Sequence, residues 1–332
     1  MTNKKHYIAI VIATLIACGI AFYNCTGSKK HVTMGGSIWF TEYHISYHGD
    51  PALQDSMLPM LNELENSMSM FLPNSVISRI NNNSTDQADS VFIHLYKVSR
   101  KVYEDTGGAF DPTITPLMQA WGFVEDTQIN PTQEDIDSLL HFVGMNKTYL
   151  KGSTVVKDDP RIRFDFSSFA KGYGCDMVAE VFRRNGVKDF IVEIGGEIVA
   201  SGVNSEGKPW QVAIDKPEMQ QDTVVHTVVR TIELTDASMA TSGNYRNFKV
   251  VDNRYVSHII DPHTGYSTTS DMLSASVIAK DCTVADAYST AFMVMGFEAS
   301  RALIQGRKDL KAYFIYCDSS GEIQQWSSED EE

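Results

Sequence analysis

The chain has 332 residues, 43% hydrophobic and 21% charged, the make-up of a folded protein of enzyme size rather than a disordered, collagen-like or disulfide-dense one. That length suits one large domain or two ordinary ones. Its 28 Lys and Arg stand against 42 Asp and Glu, and a formal net charge of −14 repels phosphates, so no nucleic-acid partner is expected.

Lys4 and Lys5 precede an uncharged run from Tyr7 to Tyr23, the pattern of a secretory signal. Within it, Leu15-Ile16-Ala17-Cys18 resembles a lipobox, whose Cys is lipidated and becomes the new N-terminus. Residues 1–18 are read as lipoprotein signal and anchor, 19–30 as a tether, 31–325 as the body and 326–332 as an acidic tail. An uncleaved membrane anchor and a soluble secreted form are the alternatives, and all three export the body. The expected location is the periplasmic side, with the chain held to the membrane through Cys18 or the N-terminal anchor. The other cysteines, Cys25, Cys175, Cys282 and Cys317, are widely spaced without a CxxC pair, which argues against a zinc site. Most are expected to be small buried hydrophobes.

Along the body, Ile38 to Tyr47 alternates like a strand, and Asp50 to Phe71 has helical spacing. Asp89 to Thr106 is a second amphipathic helix, closed by Gly107-Gly108. Thr132 to Val143 is a third, with Thr132 and Asp135 spaced as a capping box and Gly144 as the stop. Ser167 to Asn185 reads as a fourth, ending at Gly186. Beyond it the pattern is mostly β. Segments 190–194 and 198–201 flank a Gly195-Gly196 turn, and 210–214, 223–234, 248–251, 255–260, 273–278 and 312–316 also suit strands. Thr283 to Met295 and Phe297 to Gln305 read as helices, and Glu329 to Glu332 as a solvated tail. Helices interspersed with hairpins predict an α+β fold of mixed or antiparallel sheets, not a doubly wound parallel one.

Several segments could carry chemistry. Gly202-x4-Gly207-Lys208 superficially matches a phosphate loop, but Pro209 replaces its Ser/Thr and a strand follows, so a hairpin turn is the better account. Gly172-Tyr-Gly174 lies inside a helix and lacks the third Gly of a dinucleotide fingerprint. His44 and His48 sit on a strand without the Glu of a zinc helix, which favours structural roles. Asp286 and Thr290, four apart, share one helix face and offer hard oxygen ligands for Mg²⁺; a capping box from Thr283 would make Asp286 structural instead. Asp165 and Lys171 flank a strand-to-helix junction suited to an anion, with plain capping the competing reading. Asp111 could stabilise a turn, and His258 could be either structural or a proton acceptor.

In order, these segments resemble the FAD:protein FMN transferase (ApbE) family of exported, often lipid-anchored enzymes. The likeness runs from Thr33 to about Gly306. It is carried by Gly107-Gly-Ala-Phe-Asp111-Pro-Thr with Trp121-Gly-Phe, Asp165-Phe-Ser-Ser-Phe-Ala-Lys171-Gly-Tyr, Ile194-Gly-Gly-Glu-Ile, Ala240-Thr-Ser-Gly-Asn-Tyr-Arg-Asn-Phe, His258-Ile-Ile-Asp-Pro-His-Thr-Gly265, and Ala285-Asp286-Ala with Ser289-Thr290-Ala. The resemblance implies an ApbE-like, T-fold-related architecture with FAD bound between helical and β portions. It implies that Met34 and Phe71 line the flavin site, Phe71 standing where the family often has Tyr. Ala109, Phe110 and Asp111 would also contact FAD, Asp165 and Lys171 would hold its nucleotide side, and Ile260 would touch it through backbone. Ser168 (through its carbonyl), Asp286 and Thr290 match the family's Mg²⁺ positions. The implied reaction is Mg²⁺-dependent transfer of FMN from FAD to a Thr or Ser hydroxyl of an exported flavoprotein, such as a subunit of a redox complex, releasing AMP. His258 is the candidate to assist that hydroxyl, with Asp261 as its orienter. An FAD pyrophosphatase and a flavin-binding lipoprotein without turnover are the alternatives.

Overall fold

The structure is a computed structural model and describes residues 30–124, 130–220, 223–244, 248–251 and 254–331. The expected signal, Cys18, Cys25 and the tether up to residue 29 lie outside the described residues, as do Tyr245, Arg246 and Asn247. Among the described residues, no helix is long and apolar enough to cross a membrane.

Strand β1 (Lys30–Ile38) pairs with β2 (Thr41–Gly49), Ile38 facing Thr41. The stretch from Ile38 to Tyr47, expected as one strand, is therefore cut by a turn at Trp39 and Phe40. Their φ angles are 49° and 62°. Such a hairpin turn favours Gly or Asn, and each bulky residue held there costs about 1 kcal/mol. With no turn residue to mark it, the alternation hides the reversal.

Helices α1 (Gln54–Met68), α2 (Val76–Asn81), α3 (Ser90–Asp105), α4 (Thr115–Ala120) and α5 (Gln133–Leu140) follow. The Asp89 carboxylate caps α3 by accepting the Phe92 N–H at 2.8 Å. The Thr132–Asp135 capping box of α5 is present in both directions. The hairpin β3 (Thr148–Lys151) and β4 (Thr154–Lys157) leads to α6 (Ala170–Arg184). That helix starts three residues beyond the expected Ser167. Asp165 accepts the Ser167 N–H at 2.7 Å and shapes a turn there, so the carboxylate caps the approach rather than the helix.

The remaining strands are β5 (Phe190–Ile194), β6 (Glu197–Ser201), β7 (Trp210–Gln220), β8 (Thr223–Leu234), β9 (Ala237–Gly243), β10 (Phe248–Val251), β11 (Arg254–Ser257) and β12 (Met272–Ala279). Helices α7 (Cys282–Met295) and α8 (Phe297–Ile304) precede β13 (Leu310–Cys317) and β14 (Ile323–Ser327). An eight-stranded sheet runs β1-β2-β5-β6-β9-β12-β13-β14, every neighbouring pair antiparallel. This is the α+β architecture expected.

Period-2 alternation sends side chains of one strand to opposite faces. On the helical face, Val199, Ala240, Ala275 and Phe314 join α6 and α7 in the main core. On the other face, Ile198, Ala200, Met239 and Tyr313 pack against Trp210, Val212 and Leu234 of the β7–β8 hairpin. A third apolar cluster joins Leu117, Trp121, Ile136, Val256 and Ile260. Of the expected acidic tail 326–332, Glu329 and Asp330 are exposed, but its start is built into the fold. Trp326 and Ser327 belong to β14, Trp326 stacks on Phe314 with centroids 5.1 Å apart, and Glu329 binds Lys311 at 2.7 Å.

Candidate active site

The loop from Gly107 to Ile114 is fixed from within. Asp111 is buried and accepts from the Thr113 N–H (2.8 Å), the Thr113 hydroxyl (2.6 Å) and the Met145 N–H (3.1 Å). Burial pushes its carboxyl above the ordinary range, and those hydrogen bonds work against the rise. The turn-stabilising reading of Asp111 therefore has direct geometric support. The Asp165 N–H donates to the Pro112 carbonyl at 2.7 Å, which joins this loop to the approach of α6. Burial raises the Asp165 carboxyl as well, opposed by Ser167.

Helices α6 and α7 meet at Gly172. A Cβ there would come within 2.6 Å of the Cys282 carbonyl oxygen, so only glycine allows this approach. The contact lets the Gly172 N–H, in the first turn of α6, donate to Asp286 Oδ2 at 3.1 Å. Thr283 is not Asp286's capping partner. Its N–H and hydroxyl both go to Asp176, which also takes the Cys282 N–H, so a distant carboxylate caps α7. Burial lifts Asp176 to about 6 despite those bonds. The Thr290 hydroxyl lies 3.3 Å from that of Ser242, which also bonds Ser289 at 2.8 Å.

These pieces enclose a cavity of about 240 Å³. Of the expected site residues, Ala109, Phe110, Asp111, Asp165, Ser168, Lys171, His258, Ile260, Asp286 and Thr290 line it. An adjoining cleft of about 150 Å³ is lined by Phe71 and shares Asp165, Ser167 and Lys171 with the cavity. Met34 sits on β1, packed against the main core, and is not among the side chains lining either space. Asp261 is not among them either. Its Oδ1 bonds His263 Nδ1 at 2.9 Å and its Oδ2 accepts the Thr264 hydroxyl at 3.2 Å. Asp261 thus ties its own turn together rather than orienting His258, whose ring meets Phe123 edge-on at 6.5 Å.

Glu197, the acid of the Ile194-Gly-Gly-Glu-Ile motif, is a cavity residue to which the sequence reading gave no role. It is 1% exposed, and its Oε2 lies 2.5 Å from Lys171 Nζ. The Gly195-Gly196 turn, with φ of 63° and 100°, delivers it to the head of β6. Thr241 and Ser242 also line the cavity, and the Ala240-Thr-Ser-Gly motif was their signal.

The oxygen donors suit a hard cation. One carboxylate and one hydroxyl at helical spacing, beside an exposed Ser168, match the sparse protein ligation of a phosphate-bound Mg²⁺. Among the described residues no group of three or more His, Cys, Asp or Glu could hold a metal ion. His44 instead bonds Glu193 at 2.7 Å, and His48 lies against His31 with ring centroids 5.0 Å apart.

The model of the ApbE family matches residues 39–314. The chain belongs to the ApbE family. A FAD:protein FMN transferase of Vibrio cholerae is 32% identical over 315 residues, 92% of each chain. One from Haemophilus influenzae is 31% identical, covering 98% of this chain and 97% of its own. The structure of the Vibrio cholerae flavin transferase ApbE superposes with a TM-score of 0.79, covering 90% of this chain and 97% of that one. The apo flavinyl transferase ApbE of Pseudomonas stutzeri gives 0.79 at 29% identity, over 90% and 95%. The motifs of this ApbE chain thus converge on one cavity, where α6, α7 and the loops at 109–114 and 258–262 meet.

Proposed function

We propose that this chain transfers FMN from FAD to a Thr or Ser hydroxyl of an acceptor flavoprotein, with release of AMP. The observation that carries this is the convergence of Lys171, Asp286, Thr290 and His258 on one cavity in an ApbE-family chain. The pyrophosphate of FAD would lie beside Lys171, where its charge meets the ammonium and the N-terminal end of α6. The Ser168 carbonyl, the Asp286 carboxylate and the Thr290 hydroxyl would hold Mg²⁺, which when bound offsets charge building on the phosphates. The acceptor oxygen attacks the phosphorus bonded to the ribityl chain. The bridging P–O bond breaks on that side, AMP leaves with the bridging oxygen, and His258 takes the hydroxyl proton. Asp261 serves by holding the 261–265 turn next to His258. Glu197 positions the Lys171 ammonium. In keeping with its N-terminal pattern, the protein would act outside the cytoplasm, tethered through Cys18, on exported subunits of redox complexes.

Chromatography of nucleotide products tests the reaction type. AMP should appear only when an acceptor protein is supplied with FAD and Mg²⁺, and EDTA should stop it. AMP and free FMN formed at the same rate without acceptor would make the chain a pyrophosphatase. FAD bound but unchanged would leave a flavin-binding protein.

A further inference from the structure

Thr290 is one of three hydroxyls held in line where β9 meets α7. Ala240 of β9 packs into the main core beside α7, and period-2 alternation turns Ser242 to the same side. There the Ser242 hydroxyl lies 2.8 Å from that of Ser289 and 3.3 Å from that of Thr290. The Ser289 hydroxyl is fully buried and reaches back one turn to the Asp286 carbonyl at 2.9 Å. A hydroxyl carries one proton and a carbonyl none, so these contacts fix the direction of every bond. Ser289 must donate its proton to Asp286. The close contact with Ser242 then uses the Ser242 proton, because Ser289 has no second one. Ser242 can only accept from its remaining neighbour, so Thr290 is the donor there.

We propose that Ser242 and Ser289 are positioning residues that orient the Thr290 hydroxyl to receive a divalent cation. This rests on the reading of Asp286 and Thr290 as Mg²⁺ ligands. A hydroxyl binds a hard cation through an oxygen lone pair, and a proton turned toward the metal opposes its charge. With its proton held by Ser242, Thr290 presents lone pairs to the cavity it lines. The relay from Thr290 through Ser242 and Ser289 ends on the carbonyl of Asp286, whose carboxylate is the other side-chain ligand. One turn of α7 therefore sets both donors. Ser289 is not among the residues lining the cavity, so it acts only through Ser242 and Thr290.

Titration of the full chain with Mn²⁺, a paramagnetic stand-in for Mg²⁺, reads the relay without turnover when followed by electron paramagnetic resonance. Ser242→Ala should weaken Mn²⁺ by about tenfold. Ser289→Ala should weaken it to a similar extent, since Ser242 can then donate to Thr290 and turn that proton into the cavity. Ser242→Thr keeps a hydroxyl and should bind Mn²⁺ like the wild type. Unaltered Mn²⁺ affinity in both alanine variants overturns the relay, even where thermal melting shows them less stable. A loss in Ser242→Ala that a folded Ser289→Ala does not share also overturns it, and so does an equal loss in Ser242→Ala and Ser242→Thr. Asp286→Ala decides whether the cation site itself is at fault. If that variant binds Mn²⁺ as tightly as the wild type, the ligand reading and the relay fall together. If it loses Mn²⁺ while the serine variants keep it, the relay alone falls.

Discussion

Removing the Asp286 carboxylate should have two separable effects. The Gly172 N–H loses its acceptor in a buried place, a loss of about 1–2 kcal/mol in stability. The proposed Mg²⁺ site loses its one carboxylate, and turnover should fall by about a hundredfold or more. Asp286→Ala, followed by AMP release and by thermal melting, reads the two apart. A lower melting temperature with normal turnover would make Asp286 only a clip between helices. The i,i+4 spacing of Asp286 and Thr290 was legible because helical periodicity is local. What decides against the Thr283 capping box is not local. Asp176, 107 residues from Thr283, occupies the N–H groups that the box would need. The motif holding Glu197 was legible but its pairing with Lys171 was not, for a related reason. A carboxylate at a strand start ordinarily faces water, and only the arrival of Lys171 from α6 makes its burial tolerable.

His263 joins two elements of the site. Its Nδ1 meets Asp261 Oδ1 and its Nε2 meets the Gly107 carbonyl, each at 2.9 Å. The ring thereby ties the 261–265 turn to the end of α3. Partial burial disfavours its protonated form, but the hydrogen bonds to Gly107 and Asp261 win and hold its pKa above the ordinary value. A pKa raised on folding stabilises fully below the unfolded value, about 6.5, and that contribution fades as pH climbs through the folded pKa. Wild type should therefore exceed His263→Gln in melting temperature by more at pH 6 than at pH 9. An equal difference at both pH values would mean that the ring acts by packing alone. The amphipathic α3, the capped α5 and the apolar α7 stopped by Gly296 were legible, along with the Gly195-Gly196 turn. The short α2 and α4 span under two turns and carry too little periodicity to declare themselves. The Trp39–Phe40 reversal failed differently, since its residues contradict the turn they form.

Across the whole molecule, one antiparallel sheet divides the work. Its helical face holds α6 and α7, whose close crossing at Gly172 sets Lys171 and Asp286 around one cavity. Its other face is closed by the β7–β8 hairpin. The α+β class followed from the order of helices and hairpins. The sheet order, which places β9 between β6 and β12, depends on pairings that no local pattern encodes. The C-terminal segment shows the same limit, because charge marked 326–332 as an acidic tail but could not show that Trp326 stacks on Phe314 and that the exposed Glu329 pairs with Lys311. We propose that this arrangement moves FMN from FAD to a protein hydroxyl. Intact-mass spectrometry of an exported flavoprotein, incubated with the full chain, FAD and Mg²⁺, tests it most directly. A gain of one FMN less water, mapped to a Thr or Ser and absent when EDTA is present, is the expected result. An acceptor of unchanged mass, while FAD is consumed to free FMN and AMP, would contradict it.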